Sequence, residues 1–379
     1  MNMLRLSFSL RRLRRPHTPY ASYATAAAES PSLRRTVRVE NLPEGYNVSD
    51  IVDTVKANPA EAIIPAKDHL LVRFFDEGTA RCCVEANKEL SLKIDDSTSP
   101  ALDTQTVALL AKYNASRTLR LLKLPESFTE SQFNEILSSC GGVSSGLDRS
   151  EGGLTEVQFL DVHQADKARI EFAKAGTAPR YIEAEHLSYP EWYSKDDTQP
   201  NQERLVKIEG IADPQTLQMC IDWTDNYNEI APASFITARF VNQKQILVYF
   251  ATSTLARQFI SICEPLAQEK CTMSLQTSDR TVAPGVLTAL GVGARRIIAF
   301  PFTKDLPEER RLALGRFLYR FGGLHLKGVM HTEGQLIIPF ATVVGAANLV
   351  YPMYRYPKGM KLPAELDGLQ PTFVGTRHS

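Results

Sequence analysis

The sequence predicts an α+β protein built from four tandem copies of one unit, in which an antiparallel sheet carries two helices on a single face. Three observations lead to this prediction. The octet QILVYFAT at Gln245 is nearly repeated as QLIIPFAT at Gln335. A strand-like apolar run precedes each octet, and a helical pattern lies between run and octet. The same order occurs twice more towards the N-terminus, which indicates a repeated structural unit.

The first half of each copy is predicted to be a strand followed by a helix. The leading strands are TVRVENLP from Thr36, TLRLLKLP from Thr118, LVKIEGI from Leu205 and RIIAFPF from Arg296. Apolar residues at helical spacing follow: Val48, Ile51, Val52 and Val55 in the first copy, Phe133, Ile136, Leu137 and Cys140 in the second, and Leu314, Phe317, Leu318 and Phe321 in the fourth. Thr129 and Gln132 predict a capping box, and Gly141 predicts the end of that helix. The helix of the fourth copy is predicted to run from about Pro307 to Gly322.

The second half of each copy is predicted to contain two more strands and a second helix. The octet is one of these strands, and its upstream counterparts are LLVRFFD from Leu70 and LTEVQFLD from Leu154. The second helices are EGTARCCVEANKEL, VHQADKARIEFAKAG, STLARQFISICEPL and VVGAANLVYPM, and a closing strand is clearest as YIEAEHL from Tyr181. Alternate octet residues are predicted to face the core: Val248 and Phe250 in one copy, Ile338 and Phe340 in the other. The connecting segment ALDTQTVALLAKYN is predicted to be helical.

The pattern V-x-V-x-N-L-P at the head of such a unit resembles an RNA recognition motif (RRM), a ferredoxin-like βαββαβ sandwich. VRVENL from Val37 is similar to the first ribonucleoprotein signature of that family, and KDHLLVRF from Lys67 is similar to the second. The resemblance covers four degenerate copies at residues 34–96, 116–193, 203–280 and 295–365. It implies that single-stranded RNA is the ligand and binds on the open face of the sheet.

RRM proteins stack RNA bases on outward aromatic residues of the first and third strands, and this sequence departs from that set. The outward positions of the first strands are predicted to hold Arg38, Arg120, Lys207 and Ile298. Those of the third strands are predicted to hold His69 and Leu71, Leu154 and Glu156, Gln245 and Leu247, and Gln335 and Ile337. Candidate RNA contacts on the sheets are Arg38, His69, Arg120, Lys207 and Tyr249. The basic members of this set bond either to RNA or to acidic side chains on neighbouring strands.

Formal charge separates the fourth copy from the others. The first three contain more acidic than basic residues, whereas residues 295–362 contain eleven basic and four acidic side chains. Attraction of the RNA backbone is therefore predicted for the fourth copy. Its candidate contacts are Arg295, Arg296, Arg310, Arg316 and Arg320, together with Tyr354, Arg355, Tyr356 and Lys358 in YPMYRYPKGMK. In the alternative interpretation, the helix arginines form only a solvated face and the tyrosines cover the core.

A function of a different class also fits the sequence. The acidic copies are predicted to bind other proteins, and in the alternative all four copies form a protein-binding scaffold that no longer binds RNA. Leu71, Leu247 and Ile337 on the open sheets would then be docking residues. Large exposed apolar patches on the sheets would favour this alternative.

The N-terminal segment has the composition of a mitochondrial presequence. Residues 1–28 contain five arginines and several hydroxyl residues, and the first acidic residue is Glu29. This composition predicts import into the mitochondrial matrix, with a role in organellar RNA processing, stability, translation or ribosome assembly. The alternative is a disordered basic arm that binds nucleic acid.

The sequence contains no motif of a known catalytic or metal site, so no enzyme activity, metal or cofactor is predicted. The six cysteines lack C-x-x-C spacing and are expected to be buried free thiols. The uncharged stretch from Gly334 to Tyr354 is long enough to cross a bilayer. Pro339, Gly345 and Pro352 interrupt it, however, so it is not predicted to span a membrane.

Overall fold

The computed structural model describes sixteen stretches of the chain, and they contain sixteen strands and nine α-helices. The described residues are 34–42, 60–88, 91–95, 99–100, 102–122, 124–144, 155–182, 202–230, 235–242, 244–267, 270–279, 282–302, 306–322, 329–332, 334–355 and 362–374. The four repeated units are called copies 1 to 4 in chain order.

Copies 1 and 2 are joined by a connecting helix. Copy 1 contains β1 (Thr36–Val39), β2 (Ala60–Pro65), β3 (Leu70–Phe74), α1 (Glu77–Ala86) and β4 (Leu92–Ile94). Its predicted first helix, with Val48, Ile51, Val52 and Val55, lies outside the described residues. The connecting helix is α2 (Thr104–Tyr113), which forms in the predicted segment. Copy 2 contains β5 (Thr118–Leu121), α3 (Glu130–Cys140), β6 (Gly142–Ser144), β7 (Thr155–Phe159), α4 (Val162–Lys174) and β8 (Pro179–Tyr181).

Copies 3 and 4 are also joined by a helix. Copy 3 contains β9 (Gln202–Glu209), α5 (Pro214–Ile230), β10 (Phe235–Asn242), β11 (Gln245–Phe250), α6 (Ser253–Ala267) and β12 (Thr272–Ser278). The connecting helix is α7 (Pro284–Gly291). Copy 4 contains β13 (Ile297–Pro301), α8 (Glu308–Leu318), β14 (Met330–Thr332), β15 (Gln335–Pro339), α9 (Val343–Arg355) and β16 (Thr372–Phe373), and a 3-10 turn at Tyr319–Phe321 extends α8.

All four sheets are antiparallel and have the same strand order. In each copy the second strand lies at one edge, followed by the third, the first and the fourth. This order confirms the predicted α+β fold of four RRM-like sandwiches. Two closing strands lie elsewhere than predicted. Strand β8 ends at Tyr181, where the sequence pattern placed its start, and β16 lies beyond residue 365, the predicted end of copy 4.

The predicted helix ends are formed by the expected local hydrogen bonds. The Gln132 backbone N–H donates to Thr129 Oγ1 at 3.2 Å, and the Thr129 N–H donates to Gln132 Oε1 at 2.8 Å, which completes the capping box of α3. The helix ends at Gly141, whose φ of +74° lies in the left-handed region that glycine adopts readily. Both ends therefore agree with the sequence prediction.

The octet residues face the core as predicted. Val248 and Phe250 of copy 3 and Ile338 and Phe340 of copy 4 are all fully buried. The uncharged stretch that begins at Gly334 forms β15 and most of α9. Within the described ranges, no helix combines the length and the apolar character that crossing a membrane requires.

A buried arginine lies at the equivalent position of each copy, directly before the first strand in copies 1, 2 and 4 and within it in copy 3: Arg35, Arg117, Arg296 and Arg204. Three of them bond to the carbonyl at the end of the third strand of the same copy. Arg35 Nη1 donates to Phe74 O and Arg117 Nη1 to Phe159 O, both at 2.7 Å. Arg296 Nη1 donates to Phe340 O at 3.4 Å. This repeated arginine ties the first strand to the third inside the fold.

The connecting helix α2 packs against α7 and against α9 of copy 4. Its residues 107–111 are buried in a cluster that also contains the core residues of copies 3 and 4. Its first turn is fixed by Asp103, which accepts from the Thr106 N–H at 2.8 Å and lies 3.3 Å from His163 Nε2 of copy 2. Copy 1 joins copy 2 through the Ile63 N–H, which donates to Leu160 O at 2.7 Å. The copies therefore pack on one another.

Candidate nucleic-acid interface

The outward faces of the four sheets can be compared through the residues that pair across the middle of each sheet. These central rows are Ile64, Leu71, Arg38 and Lys93 in copy 1; Glu156, Arg120 and Arg180 in copy 2; Arg239, Leu247, Lys207 and Ser274 in copy 3; and Met330, Ile337, Ala299 and Thr372 in copy 4. Copies 1 and 3 each have two cations and no acid in this row. The row of copy 4 has no charge.

Copy 3 combines cations with an aromatic residue on its open face. Lys207 and Arg239 lie on either side of Leu247, and Lys207 Nζ is 2.6 Å from Glu209 Oε1. Tyr249 lies in the adjoining row, between Thr237 and Leu205. Arg239 is exposed, and the other outward side chains of β9 and β11 are half-buried. The structure thus brings together the predicted Lys207 and Tyr249 and adds Arg239, which lies on a strand that carried no predicted contact.

Copy 1 has a mixed-charge face around Arg38. Arg38 Nη2 lies 3.3 Å from His69 Nδ1, and Arg38 Nε lies 3.5 Å from Glu40 Oε1. Lys93 Nζ donates to Glu40 Oε2 at 2.7 Å, and this bond lowers the pKa of Glu40. His69 Nδ1 also lies 2.7 Å from Asp68 Oδ1. Arg38 and His69 are therefore neighbours on the sheet, but their carboxylate partners compete with RNA phosphates.

Copy 2 holds its predicted contact in a cross-strand ion pair. Arg120 Nε and Nη2 both donate to Glu156 Oε1, at 2.9 and 2.6 Å. Of the two roles open to Arg120 in the sequence, the structure shows the bond to a neighbouring strand. Arg180, on the other side of Arg120, is exposed.

Copy 4 presents an apolar sheet face, and one predicted orientation in it is wrong. Ile298 was expected to point outward, but it is fully buried in the core, and Ala299 occupies the outward position beside Ile337. Ile337 itself is only 5% exposed. The central row of this sheet face therefore offers no cation, and its apolar side chains Met330 and Ile337 are half-buried and buried, respectively.

Arg295 and Arg296 lie inside the fold rather than on a basic surface. Arg295 Nη1 donates to Leu290 O at 2.8 Å and to Ala294 O at 2.6 Å, and burial lowers the pKa of Arg295 to about 10. Arg296 is the buried arginine of copy 4 described above and is 2% exposed. Both guanidinium groups are bonded to backbone carbonyls, which removes them from the set of residues expected to contact RNA.

The arginines of α8 and its 3-10 extension remain on the surface. Arg310, Arg316 and Arg320 are all exposed. Arg310 Nη1 lies 3.3 Å from Glu365 Oε1, and the Arg320 guanidinium lies 3.9 Å from the centre of the Phe317 ring. The exposed Tyr319 and Leu312 lie on the same segment. Among the described residues of copy 4, these arginines form an exposed basic surface on α8 and its extension.

The tyrosine- and arginine-containing segment of copy 4 is partly helical. Tyr354 and Arg355 are in the last turn of α9, whereas Tyr356 and Lys358 lie outside the described residues. The Tyr354 hydroxyl donates to Pro371 O at 3.0 Å, and Arg355 Nε lies 3.5 Å from Asp166 Oδ2 of copy 2. The described part of this segment therefore connects elements of the protein, and Tyr354 packs against the core cluster of copies 3 and 4.

The cysteines are free thiols, and five of the six are buried, as predicted; Cys82 is half-buried. Burial raises the pKa of Cys83, Cys220 and Cys263 to about 12, so these thiols stay protonated at neutral pH. In the described part of the chain, no three histidine, cysteine or acidic side chains converge to hold a metal ion.

No protein-family model matches the sequence, and comparison with curated proteins gives no match. Several solved structures show similarity. RNA recognition domains 1 and 2 of Sex-lethal from Drosophila melanogaster are 15% identical over 39% of this chain and 99% of theirs, with a TM-score of 0.15. The N-terminal three RNA binding domains of the yeast splicing factor Prp24 are 14% identical over 63% of this chain and 97% of theirs, with a TM-score of 0.17. Aspartate kinase from Synechocystis is 11% identical over 87% of this chain and 56% of its own, also with a TM-score of 0.17. Similarity at this level carries no argument about function.

Proposed function

We propose that this protein binds single-stranded RNA on the open sheets of copies 3 and 1, with the α8 arginines of copy 4 as a further electrostatic contact. The observation that carries the proposal is the face of copy 3, where Lys207 and Arg239 flank Leu247 and Tyr249 lies in the next row. Adjacent strands are about 4.8 Å apart, so the two cations stand on the order of 10 Å apart across the sheet. A base that rests on Tyr249 places its phosphates within reach of both cations.

The sheet of copy 3 can be tested by removing its charges without enlarging any side chain. Lys207→Gln combined with Arg239→Gln is expected to weaken binding of a labelled oligoribonucleotide by about tenfold. It should also reduce the slope of log affinity against log salt by about 1.4, because each phosphate contact on a single strand contributes about 0.7. Tyr249→Ala is expected to cost about 1–3 kcal/mol of binding and to leave that slope unchanged. Fluorescence anisotropy over a salt series measures both quantities.

The matched control is Arg257→Gln. Arg257 is an exposed arginine on α6 of the same copy, outside the central row of the sheet, and its Nη2 donates to Glu203 at 2.7 Å. Its removal changes the net charge of the copy but not the sheet face, so RNA affinity should stay at the wild-type value. Equal losses in the control and in the sheet variants would show that the attraction is diffuse and would contradict the assignment to the sheet.

The proposal includes a location in the mitochondrial matrix and a role in organellar RNA processing, stability, translation or ribosome assembly. Its support is the composition of residues 1–28, which lie outside the described residues. Replacement of Arg5, Arg11, Arg12, Arg14 and Arg15 by glutamine is expected to abolish import into isolated mitochondria, because the membrane potential acts on each positive charge. The measurement is the amount of shortened protein that is protected from added protease after incubation with the mitochondria. The presequence would be contradicted if the native chain and the glutamine variant were imported equally. Collapse of the membrane potential, which should stop import of the native chain, is the control.

The scaffold alternative finds less support on the described sheets. Leu71 is half-buried between Arg38 and the exposed Ile64. Leu247 is half-buried between Arg239 and Lys207, and Ile337 is buried. A docking surface of the kind proposed needs a contiguous apolar patch of several hundred Å². Protein partners of the acidic copies stay a separate proposal, which affinity purification with and without ribonuclease tests.

A further inference from the structure

A cleft opens on the helical side of the molecule where α2, α4 and α9 meet. It has a volume of about 430 Å³ and lies between copies 2 and 4. A second cleft of about 290 Å³ adjoins it, and Tyr113 and Arg169 line both. The second cleft continues to strand β8, at Pro179 to Tyr181. A volume of this size is typical of sites that hold small molecules, which occupy about 300–1,000 Å³.

The walls of the two clefts carry positive charge. Lys112, Arg169 and Lys174 line the larger one, Arg180 lines the smaller one, and neither has a carboxylate among its lining residues. Lys174 Nζ bonds to Glu171 at 2.8 Å. Among the described residues Lys112 has no carboxylate partner, and its ammonium group rests 4.9 and 5.0 Å from the ring centres of Tyr113 and Tyr351. The larger cleft is therefore suited to an anion.

Arg169 lines both clefts and is held in place by its contacts with a carboxylate and with tyrosine side chains. Its Nε and Nη2 donate to Asp166 Oδ1, at 3.1 and 2.8 Å, and Nη2 also lies 3.1 Å from the Tyr351 hydroxyl. The guanidinium lies 4.3 Å from the centre of the Tyr113 ring. Burial lowers the pKa of Arg169, but Tyr181 and Asp166 more than offset this and raise it, so the charge is permanent. The Nη1 atom takes part in none of these three bonds.

The smaller cleft has features that suit a planar polar ring. It is lined by Tyr113 and Tyr181 and by Asn114, which directly follows the last residue of α2. The Asn114 Nδ2 atom is buried and has no hydrogen-bond partner in the described part of the protein. An amide donor without a partner is costly in a folded protein. Aromatic walls beside such a donor are typical of base-binding sites.

We propose that these two clefts form a nucleotide site, with the phosphate between Lys112, Lys174 and Arg169 and the base beside Tyr113 and Asn114. The ligand is a nucleoside phosphate, either free or as one nucleotide of an RNA strand. The site lies away from the sheets of copies 1 and 3, so it does not depend on the RNA contacts proposed above.

Isothermal titration of the full chain with AMP, CMP, GMP, UMP and inorganic phosphate tests the site. Lys112→Gln is expected to weaken nucleotide binding by about tenfold, the effect of losing one charge-assisted hydrogen bond to phosphate. Arg180→Gln should weaken the nucleotides but not inorganic phosphate, because Arg180 lines only the smaller cleft. The control is Lys88→Gln, at an exposed lysine of copy 1, which should bind as the native chain does. Lys112 and Arg180 are preferred to Arg169 because removing Arg169 would disturb packing between copies.

The arms of the experiment separate the two sources of nucleotide. Saturation by a free nucleoside monophosphate supports a small-molecule ligand. An RNA nucleotide at the cleft is supported if an oligoribonucleotide binds but the free nucleotides do not. Lys112→Gln should then weaken this binding in a chain that already carries Lys207→Gln and Arg239→Gln. The proposal is overturned if no ligand binds at a concentration of about 1 mM, since a dissociation constant of that size corresponds to a binding free energy of only about 4 kcal/mol. It is also overturned if Lys112→Gln binds every ligand as tightly as the control. If RNA does not bind to the sheets of copies 1 and 3, both of these results can still be interpreted, because neither depends on that binding.

Discussion

Replacing Asp166 by alanine is expected to weaken the junction between copies 2 and 4 by about 3–5 kcal/mol, because the partners of a buried carboxylate would stay buried without it. The Asp166 side chain is 1% exposed. It accepts from Arg169 Nε and Nη2, from the Tyr181 hydroxyl at 3.0 Å and from the Tyr351 hydroxyl at 2.8 Å. Arg355 Nε lies 3.5 Å away. Burial raises the pKa of Tyr181 well above its usual value, so its hydroxyl remains a donor.

Hydrogen exchange of the backbone amides in α4 and α9 measures this effect at the junction itself. A global unfolding curve would instead combine the stabilities of all four copies. The control is Glu171→Ala on the same helix. Glu171 is 38% exposed and pairs with Lys174, so its removal should change the local opening free energy by no more than about 0.5 kcal/mol. Protection of α9 that stays native in Asp166→Ala would show that apolar packing of α2 alone holds copy 4 against copy 2.

The repeated elements could be predicted because each depends on local sequence. Thr129 and Gln132 cap α3 through bonds that span three residues, and Gly141 ends that helix through its own backbone freedom. Strand β11 alternates buried and half-buried residues, so its inward residues Val248 and Phe250 could be identified from polarity. Such signals do not depend on which other parts of the chain pack nearby.

The orientation of β13 could not be read in this way. Residues 298–300 are all buried, so apolar side chains occupy both faces of the strand and polarity does not alternate. The pairing of Ala299 with Ile337 fixes the orientation, and that pairing is a contact between strands. The sequence suggested that Ile298 points outward because it is the third residue of its apolar run, as Arg38, Arg120 and Lys207 are of theirs.

The charge count of copy 4 predicted more basic surface than the fold presents. Arg295 and Arg296 add to the count, but their guanidinium groups bond to carbonyls of α7, the loop after it and the end of the third strand. Arg355 lies beside the buried Asp166 of another copy. Net charge carries no information on burial, and the acceptors that make burial of these arginines tolerable come from distant parts of the chain. The candidate sheet of copy 3 was missed in part because Arg239 lies on the second strand, where the family signatures supply no residue.

Contacts between copies had only a partial signal. The apolar spacing of ALDTQTVALLAKYN predicted the helix α2, but nothing in that segment identified α9 and α7 as its partners. The network around Asp166 and the nucleotide site proposed beside it both arise from this packing. Sites formed between copies are therefore the part of this protein that sequence patterns within a copy could not show.

Replacing Arg35 by methionine is expected to destabilise copy 1 by about 3–5 kcal/mol, because the change leaves a buried carboxylate short of a partner. Arg35 is fully buried, and its Nη1 donates to Glu61 and to Phe74 O. Its Nη2 donates to Pro100 O at 2.6 Å. The Glu61 side chain is 9% exposed, and within the part of copy 1 that the structure describes it then keeps only Arg73, whose Nε is 3.1 Å away. Methionine fills most of the volume, so the loss reports the charge rather than a cavity.

A double-mutant cycle separates the ion pair from the remaining hydrogen bonds. Arg35→Met together with Glu61→Gln should recover part of the loss, because the uncompensated charge is removed while the carbonyls of Phe74 and Pro100 still lack their donor. The surface pair of Arg81 and Glu77 in the same copy is the control, and Arg81→Met should cost at most about 1 kcal/mol. Hydrogen exchange in β1 and β3 measures all four variants against the native chain. If Arg35→Met and Arg81→Met cost the same, the buried arginine that recurs in every copy is not what joins the first strand to the third, and packing of residues such as Val37 against Phe74 must do so instead.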